Sequence, residues 1–158
     1  MNIFVLDNDV VKCAKYHNNK HVVKMVLETA QLLCGVHHMT KLETEREIIP
    51  YKLSHKNHPC SIWARECVEN YVWLCQLGMA LSKEYTKRYG KTHKSQAIIE
   101  WCYDNLPKLN INSKMTEFAM AMSDECKVDG VVDSYRNYYM IEKRKIADWK
   151  GEIPFWFK

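Results

Sequence analysis

Hydrophobic residues recur at helical spacing through most of this 158-residue chain. The clearest case is "KHVVKMVLETAQLLC", residues 20–34, which is apolar on most faces but repeats polar residues at steps of three or four. Those polar residues are His21, Lys24, Glu28 and Gln31. The spacing predicts a helix with one polar stripe, capped by Asn18 or Asn19 and ending near residues 35–38.

The same patterning predicts further helices joined by irregular segments. They are a short helix capped by Asp7 or Asn8 and running towards His17, a long and broken one from Pro59 to Gly90, one from Ser95 to the approach of Pro107, a short one around residues 116–122, and a last one after Asp129. Residues 40–57 and 108–128 should be mostly irregular, and the aromatic tail should pack back on the body. Gly and Pro are rare, at 5 and 4, and we find no linker or repeat. We therefore expect one compact all-α domain over residues 1–158.

Charge and cysteine content narrow the classes of function. Lys and Arg total 23 against 19 Asp and Glu, and the net charge of +4 permits an anionic partner without requiring one. Seven cysteines without a Cys-x-x-Cys motif do not resemble a disulfide framework or a zinc module, so we expect reduced thiols in the cytoplasm. The apolar run at the N-terminus is too short for a signal peptide or a membrane span, so no membrane partner is expected.

The polar stripe has two interpretations. It is the solvent-exposed face of an outer helix, with Lys24 and Glu28 forming a spaced ion pair, or it is the wall of an active site that combines an acid, a base and an imidazole. A second polar group surrounds the start of the long helix, where His55 and His58 are followed by Arg65. Two such groups in one chain favour a shared pocket.

A divalent metal is one alternative for the chemistry of this pocket. His17 and His21 have the i, i+4 spacing that can hold a metal ion, and Glu28 and His58 could complete the ligand set. The His-Glu-x-x-His signature of zinc peptidases is absent. The leading expectation is therefore a site without a cofactor, and the alternative is a metal-dependent hydrolase acting on a nucleotide or nucleic acid.

A basic turn is a candidate anion site. The stretch "RYGKTHKS", residues 88–95, gathers cations around a glycine that ends one helix just before the next begins. Arg88, His93 and Lys94 could meet a phosphate there together with free backbone N–H groups. The alternative is a solvated charged turn.

The last helix combines aromatic and basic side chains. Tyr135, Arg136 and Lys143 are members of this group, and aromatic faces among cations suit bases beside a phosphate backbone. Tyrosines at helical spacing also occur at the edge of a core, and that interpretation stays open here. DNA or a nucleotide is the partner that these features favour.

Four stretches carry a resemblance to known proteins. "MNIFVLD", "KHVVKMVLETAQLL", "HKNHPCSIWARE" and "EYTKRYGKTHKS" are similar to a family of small phage and large-virus proteins, over nearly the whole chain. The order of parts also resembles, more distantly, the pyrimidine-dimer DNA glycosylase and AP-lyase family of endonuclease V type. That family is a compact all-helical domain with an essential carboxylate on an N-terminal helix and an aromatic, basic C-terminus that contacts DNA.

The resemblance implies a role for several residues. Glu28 would be the catalytic carboxylate with His21 and Lys24 as its neighbours, Asn57, His58 and Pro59 would match the Asn-His-Pro segment of many bacterial members, and Arg136 and Lys143 would hold phosphates. It also implies that DNA is the partner and, for a viral protein, that the host cytoplasm is the location.

The nucleophile departs from the family pattern. The family attacks the sugar with a free α-amine on a small residue exposed by methionine removal, whereas residue 2 here is Asn, so Met1 is expected to stay. Three alternatives follow for the nucleophile: it is the α-amine of Met1, it is the side-chain amine of Lys24, or the chemistry differs from that of the family. Our leading hypothesis is a DNA glycosylase or lyase acting on damaged or modified pyrimidines, with His21 and His58 as proton carriers. The phosphate contacts would be Arg65, Arg88, His93, Lys94 and Arg136. A non-catalytic viral DNA-binding or host-interaction protein is a further alternative.

Overall fold

The computed structural model describes residues 1–111 and 114–158, and all regular structure in these two ranges is helical. The α-helices are α1 Val10–Tyr16, α2 Asn19–Thr40, α3 Pro59–Ala64, α4 Val68–Tyr89, α5 Gln96–Asp104 and α6 Val131–Glu142. Three 3₁₀ helices, Glu43–Ile48, Asp124–Cys126 and Arg144–Ile146, lie in the connections. The predicted all-α fold class is confirmed.

The helix boundaries follow local signals in the sequence. The Asn18 side chain caps α2 by accepting a hydrogen bond from the backbone N–H of His21 at 2.9 Å. Helix α4 ends at Gly90, whose φ of +68° suits a residue without a Cβ. The predicted break in the long helix is present as well, because α3 ends at Ala64 and α4 begins at Val68.

Helices α2 and α4 form the centre of the molecule. Each has 22 residues, and α4 packs against α1, α2 and α5. Gly78 permits the close approach: a Cβ at this position would lie 2.9 Å from a methyl carbon of Thr29 on α2 and 2.9 Å from one of Ile99 on α5. The three helices therefore meet at a point where no side chain larger than hydrogen fits without rearrangement.

The predicted helix around residues 116–122 was wrong. This segment is irregular because side chains from other elements satisfy its backbone groups: Asn70 Oδ1 accepts from the N–H of Thr116 at 3.0 Å, and the Tyr135 hydroxyl accepts from Ala121 N at 3.2 Å. Residues 112 and 113, which belong to the stretch predicted to be irregular, lie outside the described residues.

Both ends of the chain are packed into the body. Residues 2–6 run extended and buried beside α2 and α6, where Phe4 stacks on His21 with ring centroids 4.3 Å apart. The tail packs back as expected: Trp156 is 8% exposed and its ring lies 6.0 Å from that of Tyr139. The N-terminus is thereby held near the middle of α2.

All seven cysteines are buried and free, as expected for reduced thiols. The sulfur atoms of Cys34 on α2 and Cys102 on α5 lie 4.0 Å apart. Within the residues described, none of the helices combines the length and the hydrophobicity needed to cross a lipid bilayer.

Candidate active site

An amine and a carboxylate meet where the N-terminal segment crosses α2. The α-amine of Met1 lies 3.8 Å from Oε1 of Glu28, and Nζ of Lys24 lies 3.4 Å from the same oxygen. The Met1 side chain is 4% exposed, whereas that of Lys24 is 63% exposed. One nearly buried carboxylate is therefore shared by the α-amine of a half-buried residue and by a solvated lysine.

The position of Glu28 explains this pairing. It lies on the face of α2 that packs against the protein body, and the whole residue is only 8% exposed. A carboxylate so far removed from water needs positive charge beside it to offset the hydration that it has lost. The two amines supply that charge. The polar stripe thus has its acid at a boundary between core and solvent, as the active-site interpretation requires.

His58 belongs to the same electrostatic environment. It caps α3, because its Nδ1 accepts from the backbone N–H of Cys60 at 3.1 Å. Burial first, and then the positive charge of the Met1 amine, lower the pKa of His58 below its ordinary value, while Glu28 opposes this effect. The charges of both the Met1 amine and Glu28 therefore act on the His58 imidazole.

His21 lies two turns before Glu28 and is held more tightly. Its Nδ1 is 2.6 Å from the hydroxyl of Tyr139, and its ring stacks on Phe4. Burial is the main cause that lowers the pKa of His21 to about 3, with smaller contributions from His17 and nearby lysines. Near neutral pH it is a neutral imidazole, so it can donate or accept one hydrogen bond but carries no charge.

Asn2 is a site residue that the sequence analysis missed. It is 8% exposed, and its Oδ1 accepts from the N–H of Ile3 at 2.8 Å while its Nδ2 donates to Ala121 O at 2.9 Å. The Tyr135 hydroxyl lies 3.1 Å from the same Oδ1. The residue after the terminal amine is therefore anchored from several sides. The sequence gives only one signal for this: a polar side chain at position 2 of an otherwise apolar segment.

Three of the predicted phosphate contacts keep side chains at the surface. Lys94 is exposed, Arg65 is half-buried and donates to Lys56 O at 2.7 Å, and the Lys143 ammonium lies 4.9 Å from the centre of the Tyr138 ring. Of these three, Lys143 is the one whose charge contributes to the lowered pKa of His21.

The two arginines predicted to bind phosphate require correction. The Arg88 side chain is 3% exposed, and its guanidinium bonds to Glu84 at 2.9 Å and to the backbone oxygen of His17 at 2.8 Å. The Arg136 side chain is 16% exposed, donates to Leu6 O at 2.9 Å, and lies within 5.7 Å of three aromatic ring centres. Both guanidinium groups join parts of the fold, so neither is available to a phosphate.

Two ring-bearing residues also differ from expectation. Tyr135 is 0% exposed and its hydroxyl is bonded internally, so it cannot stack on a base. In His93 both ring nitrogens are occupied, since Nε2 lies 2.9 Å from Val23 O and Nδ1 accepts from the N–H of Ser95 at 3.0 Å. Tyr135 therefore belongs to the core, and His93 connects the basic turn to α2 through a hydrogen bond.

The alternative metal set is not assembled. Among the residues that the structure describes, no group of three or more His, Cys, Asp or Glu side chains is placed to share a metal ion. His17 is fully buried, and its Nδ1 lies 2.7 Å from Cys13 O, which makes that nitrogen a donor to the backbone. His17 and His21 therefore serve packing and hydrogen bonding in this fold.

Comparison with known proteins relates the chain to a family of DNA-repair enzymes. The family model described as pyrimidine dimer DNA glycosylase matches residues 1–97, which is more than half of the chain. The matched region contains the N-terminal segment, α1 to α4 and the loop that carries His58. No curated protein and no solved structure gives a significant match.

Proposed function

The chain belongs to the pyrimidine dimer DNA glycosylase family, and we propose that it excises pyrimidine dimers from DNA and cleaves the resulting abasic site, with the Met1 α-amine as nucleophile. The observation that carries this proposal is the 3.8 Å approach of that amine to Glu28. An amine beside a carboxylate provides both groups that imine chemistry at a sugar carbon requires. DNA is the substrate that the family description supports.

The chemistry can be written with residues that lie together. The neutral amine attacks C1′ of the damaged nucleotide, the glycosidic bond breaks, and the base leaves with the electron pair and takes up a proton. Opening of the C1′–O4′ bond then gives an iminium ion, and O4′ takes up a proton. Removal of a C2′ proton by the Glu28 carboxylate shifts electrons to form the C2′–C3′ double bond and expels the 3′ phosphate. Hydrolysis of the imine returns the amine.

Met1 suits the nucleophile role better than Lys24 does. The ordinary pKa of α-amines is about 8, roughly two units below that of lysine side chains, so an α-amine is more often neutral near pH 7. The Lys24 side chain is 63% exposed and free to reorient, whereas Met1 packs against the core. In this proposal Lys24 pairs with Glu28 and faces the DNA backbone together with Lys143.

The aromatic tail supplies a second part of the proposed interface. Phe155 is 74% exposed and lies above the guanidinium of Arg136, 5.6 Å from its central carbon. An exposed aromatic ring that packs on a fixed guanidinium group can stack on a nucleotide displaced from the duplex. We propose this role for Phe155 rather than for Tyr135.

Borohydride trapping tests the proposal. Wild-type protein, a protein with its α-amine acetylated, Lys24→Met and Glu28→Gln are each incubated with duplexes carrying a thymine dimer, an abasic site or no lesion, and then reduced. We expect a covalent band with both damaged duplexes for the wild type and Lys24→Met, and none after acetylation. Intact-mass measurement must show Met1 on the protein used.

Two other results would overturn parts of the proposal. A band that survives acetylation but disappears in Lys24→Met would make Lys24 the nucleophile. Binding of the damaged duplexes without any band or strand cleavage by the wild type would reject the enzymatic function and favour a non-catalytic DNA-binding protein.

A further inference from the structure

We infer that Asn2 and Tyr135 are positioning residues that hold the residue-1 amine beside Glu28, an inference that rests on the proposed function. The observation behind it is an internal hydrogen-bond cluster, one residue away from the amine, that joins the N-terminus to α6 and to residues 119–121. Neither side chain would touch the DNA. Their effect would act through the geometry of the amine.

Every polar atom of the Asn2 side chain has a partner. Oδ1 accepts from Ile3 N at 2.8 Å, lies 3.1 Å from the Tyr135 hydroxyl and 3.5 Å from Cys60 Sγ, and Nδ2 donates to Ala121 O at 2.9 Å. These partners come from the N-terminal segment itself, from α3, from α6 and from the segment before it. A side chain held from four directions has one orientation.

Tyr135 supports Asn2 from the core. It is 0% exposed, and its hydroxyl is 2.7 Å from Ala119 O and 3.1 Å from Asn2 Oδ1, so one proton lies between two acceptors. The same oxygen accepts from Ala121 N at 3.2 Å. The tyrosine thus connects Asn2 to the backbone of a segment that has no helix of its own.

The cluster limits where the amine can go. Neighbouring Cα atoms are about 3.8 Å apart, and with Asn2 fixed only the torsions on either side of one peptide bond separate it from the residue-1 nitrogen. If Met1 were absent, the amine would belong to Asn2 itself and would start one residue farther along the chain. The cluster therefore places the amine of residue 1, and not that of residue 2, beside Glu28.

The test uses two variants and one matched control. Tyr135→Phe removes the hydroxyl, and Asn2→Leu removes the polar atoms while keeping a side chain bulky enough for Met1 to stay, which intact mass verifies. Tyr71→Phe is the control, because Tyr71 is also 0% exposed and its hydroxyl is also bonded internally, to His37 and to Cys102 O, each at 2.8 Å. His37 lies nine residues beyond Glu28, roughly 13 Å along the axis of α2.

Single-turnover trapping at saturating damaged duplex is the first measurement. We expect Tyr135→Phe and Asn2→Leu to slow covalent trapping by about a hundredfold with duplex affinity unchanged, because a misplaced nucleophile loses its alignment while the DNA contacts remain. Tyr71→Phe should trap at the wild-type rate per folded molecule. Equal rates in all four proteins would overturn the inference.

Acetylation of the α-amine without DNA is the second measurement, followed by the mass of the N-terminal peptide. We expect faster acetylation of residue 1 in Tyr135→Phe and Asn2→Leu than in the wild type or Tyr71→Phe, since a released amine moves away from Glu28 into solvent. An unchanged rate would overturn the inference. If the wild type forms no covalent complex, the proposed function fails, while this comparison still decides whether the two residues hold the amine.

Discussion

Helix α2 carries two histidine–tyrosine pairs, one at each end, and their chemistry is nearly the same. His21 lies 2.6 Å from the Tyr139 hydroxyl, and His37 lies 2.8 Å from that of Tyr71. Both histidines are buried, and burial is the main reason that their pKa values fall to about 3 and about 4. An imidazole bonded to a phenol in the core is therefore not by itself the mark of an active site.

The two ends differ in what surrounds the pair. At the His37 end, the Tyr71 hydroxyl donates a hydrogen bond to the backbone oxygen of Cys102, and the ring of Trp101 lies 5.0 Å from that of His37. At the His21 end, Glu28 meets the Met1 amine at the edge of the core. The N-terminal segment therefore places an amine beside a carboxylate at one end only, while α2 carries a similar buried histidine–tyrosine pair at both ends.

Of the substitutions considered, Glu28→Gln should show the largest difference between the two ends of α2. Removal of the carboxylate that takes the C2′ proton should slow strand cleavage by about a hundredfold to ten-thousandfold, the usual range for loss of an acid–base group. His37→Gln should leave the rate per folded molecule unchanged. Single-turnover strand cleavage of a duplex with an abasic site, with the folded fraction taken from circular dichroism, compares the two. A Glu28→Gln rate equal to that of the wild type would contradict the assigned role.

Gly78→Ala should disturb both ends of α2 together. The added methyl group would lie 2.9 Å from carbon atoms of Thr29 and Ile99, so we expect a loss of about 1–3 kcal/mol in the free energy of unfolding. Urea denaturation measures this loss. Gly90→Ala serves as the control for a glycine with open space around it, although its positive φ makes some loss expected there too. Full stability in Gly78→Ala would mean that α4 can move away from α2.

Mild acid should destabilise both ends alike. The unfolded chain protonates its histidines as the pH falls below about 6.5, whereas His21 and His37 stay neutral in the fold down to about 3 and about 4. Stability is therefore complete above pH 6.5 and decreases as the pH falls towards 4, by about 2 kcal/mol for each histidine at pH 5.

Urea midpoints at pH 7 and pH 5 check this linkage. His37→Gln should make the midpoint less sensitive to pH, because one of the neutral buried imidazoles is gone. A wild-type midpoint that does not change over this interval would show that the histidines are more accessible to protons than their burial indicates.

His55→Gly should give the smallest effect, and it concerns the loop that leads to His58, at the candidate-site end. In the described ranges His55 is the one residue other than glycine with a positive φ, +52°, and it lies three residues before His58. Glycine should relieve this backbone strain and raise the free energy of unfolding by about 0.5 kcal/mol, after the entropy cost of the added freedom. Thermal unfolding measures the change. His55→Ala is the comparison, since it keeps the strain.

Local features of the fold were predictable, because hydrophobic spacing and capping residues act within a few positions. Helix α2, its Asn18 cap and the stop at Gly90 were all indicated by neighbouring residues. The short helix around residues 116–122 was not excluded by any local signal. It is absent because α4 and α6 supply hydrogen bonds from 46 and 14 positions away.

The site was predictable in part for the same reason. The polar stripe and the family resemblance indicated Glu28, Lys24 and Met1, and these residues do lie together. The partners of the basic and aromatic side chains could not be predicted, because they lie far away in the sequence. Arg88 bonds to a carbonyl 71 positions earlier, and Tyr135 bonds to Asn2, which lies 133 positions earlier. Basic or aromatic character on a helix does not reveal whether the side chain faces DNA or its own fold.

The seven buried cysteines allow the rate of local unfolding to be measured by thiol labelling. None is more than 9% exposed, and burial raises the pKa of Cys13 and Cys75 to about 12, so in the folded state these thiols are both shielded and protonated. A thiol reagent can modify them only as fast as the chain opens. Peptide-resolved labelling would then time the opening of α1, α2, α3, α4 and α5 separately, without a single engineered probe.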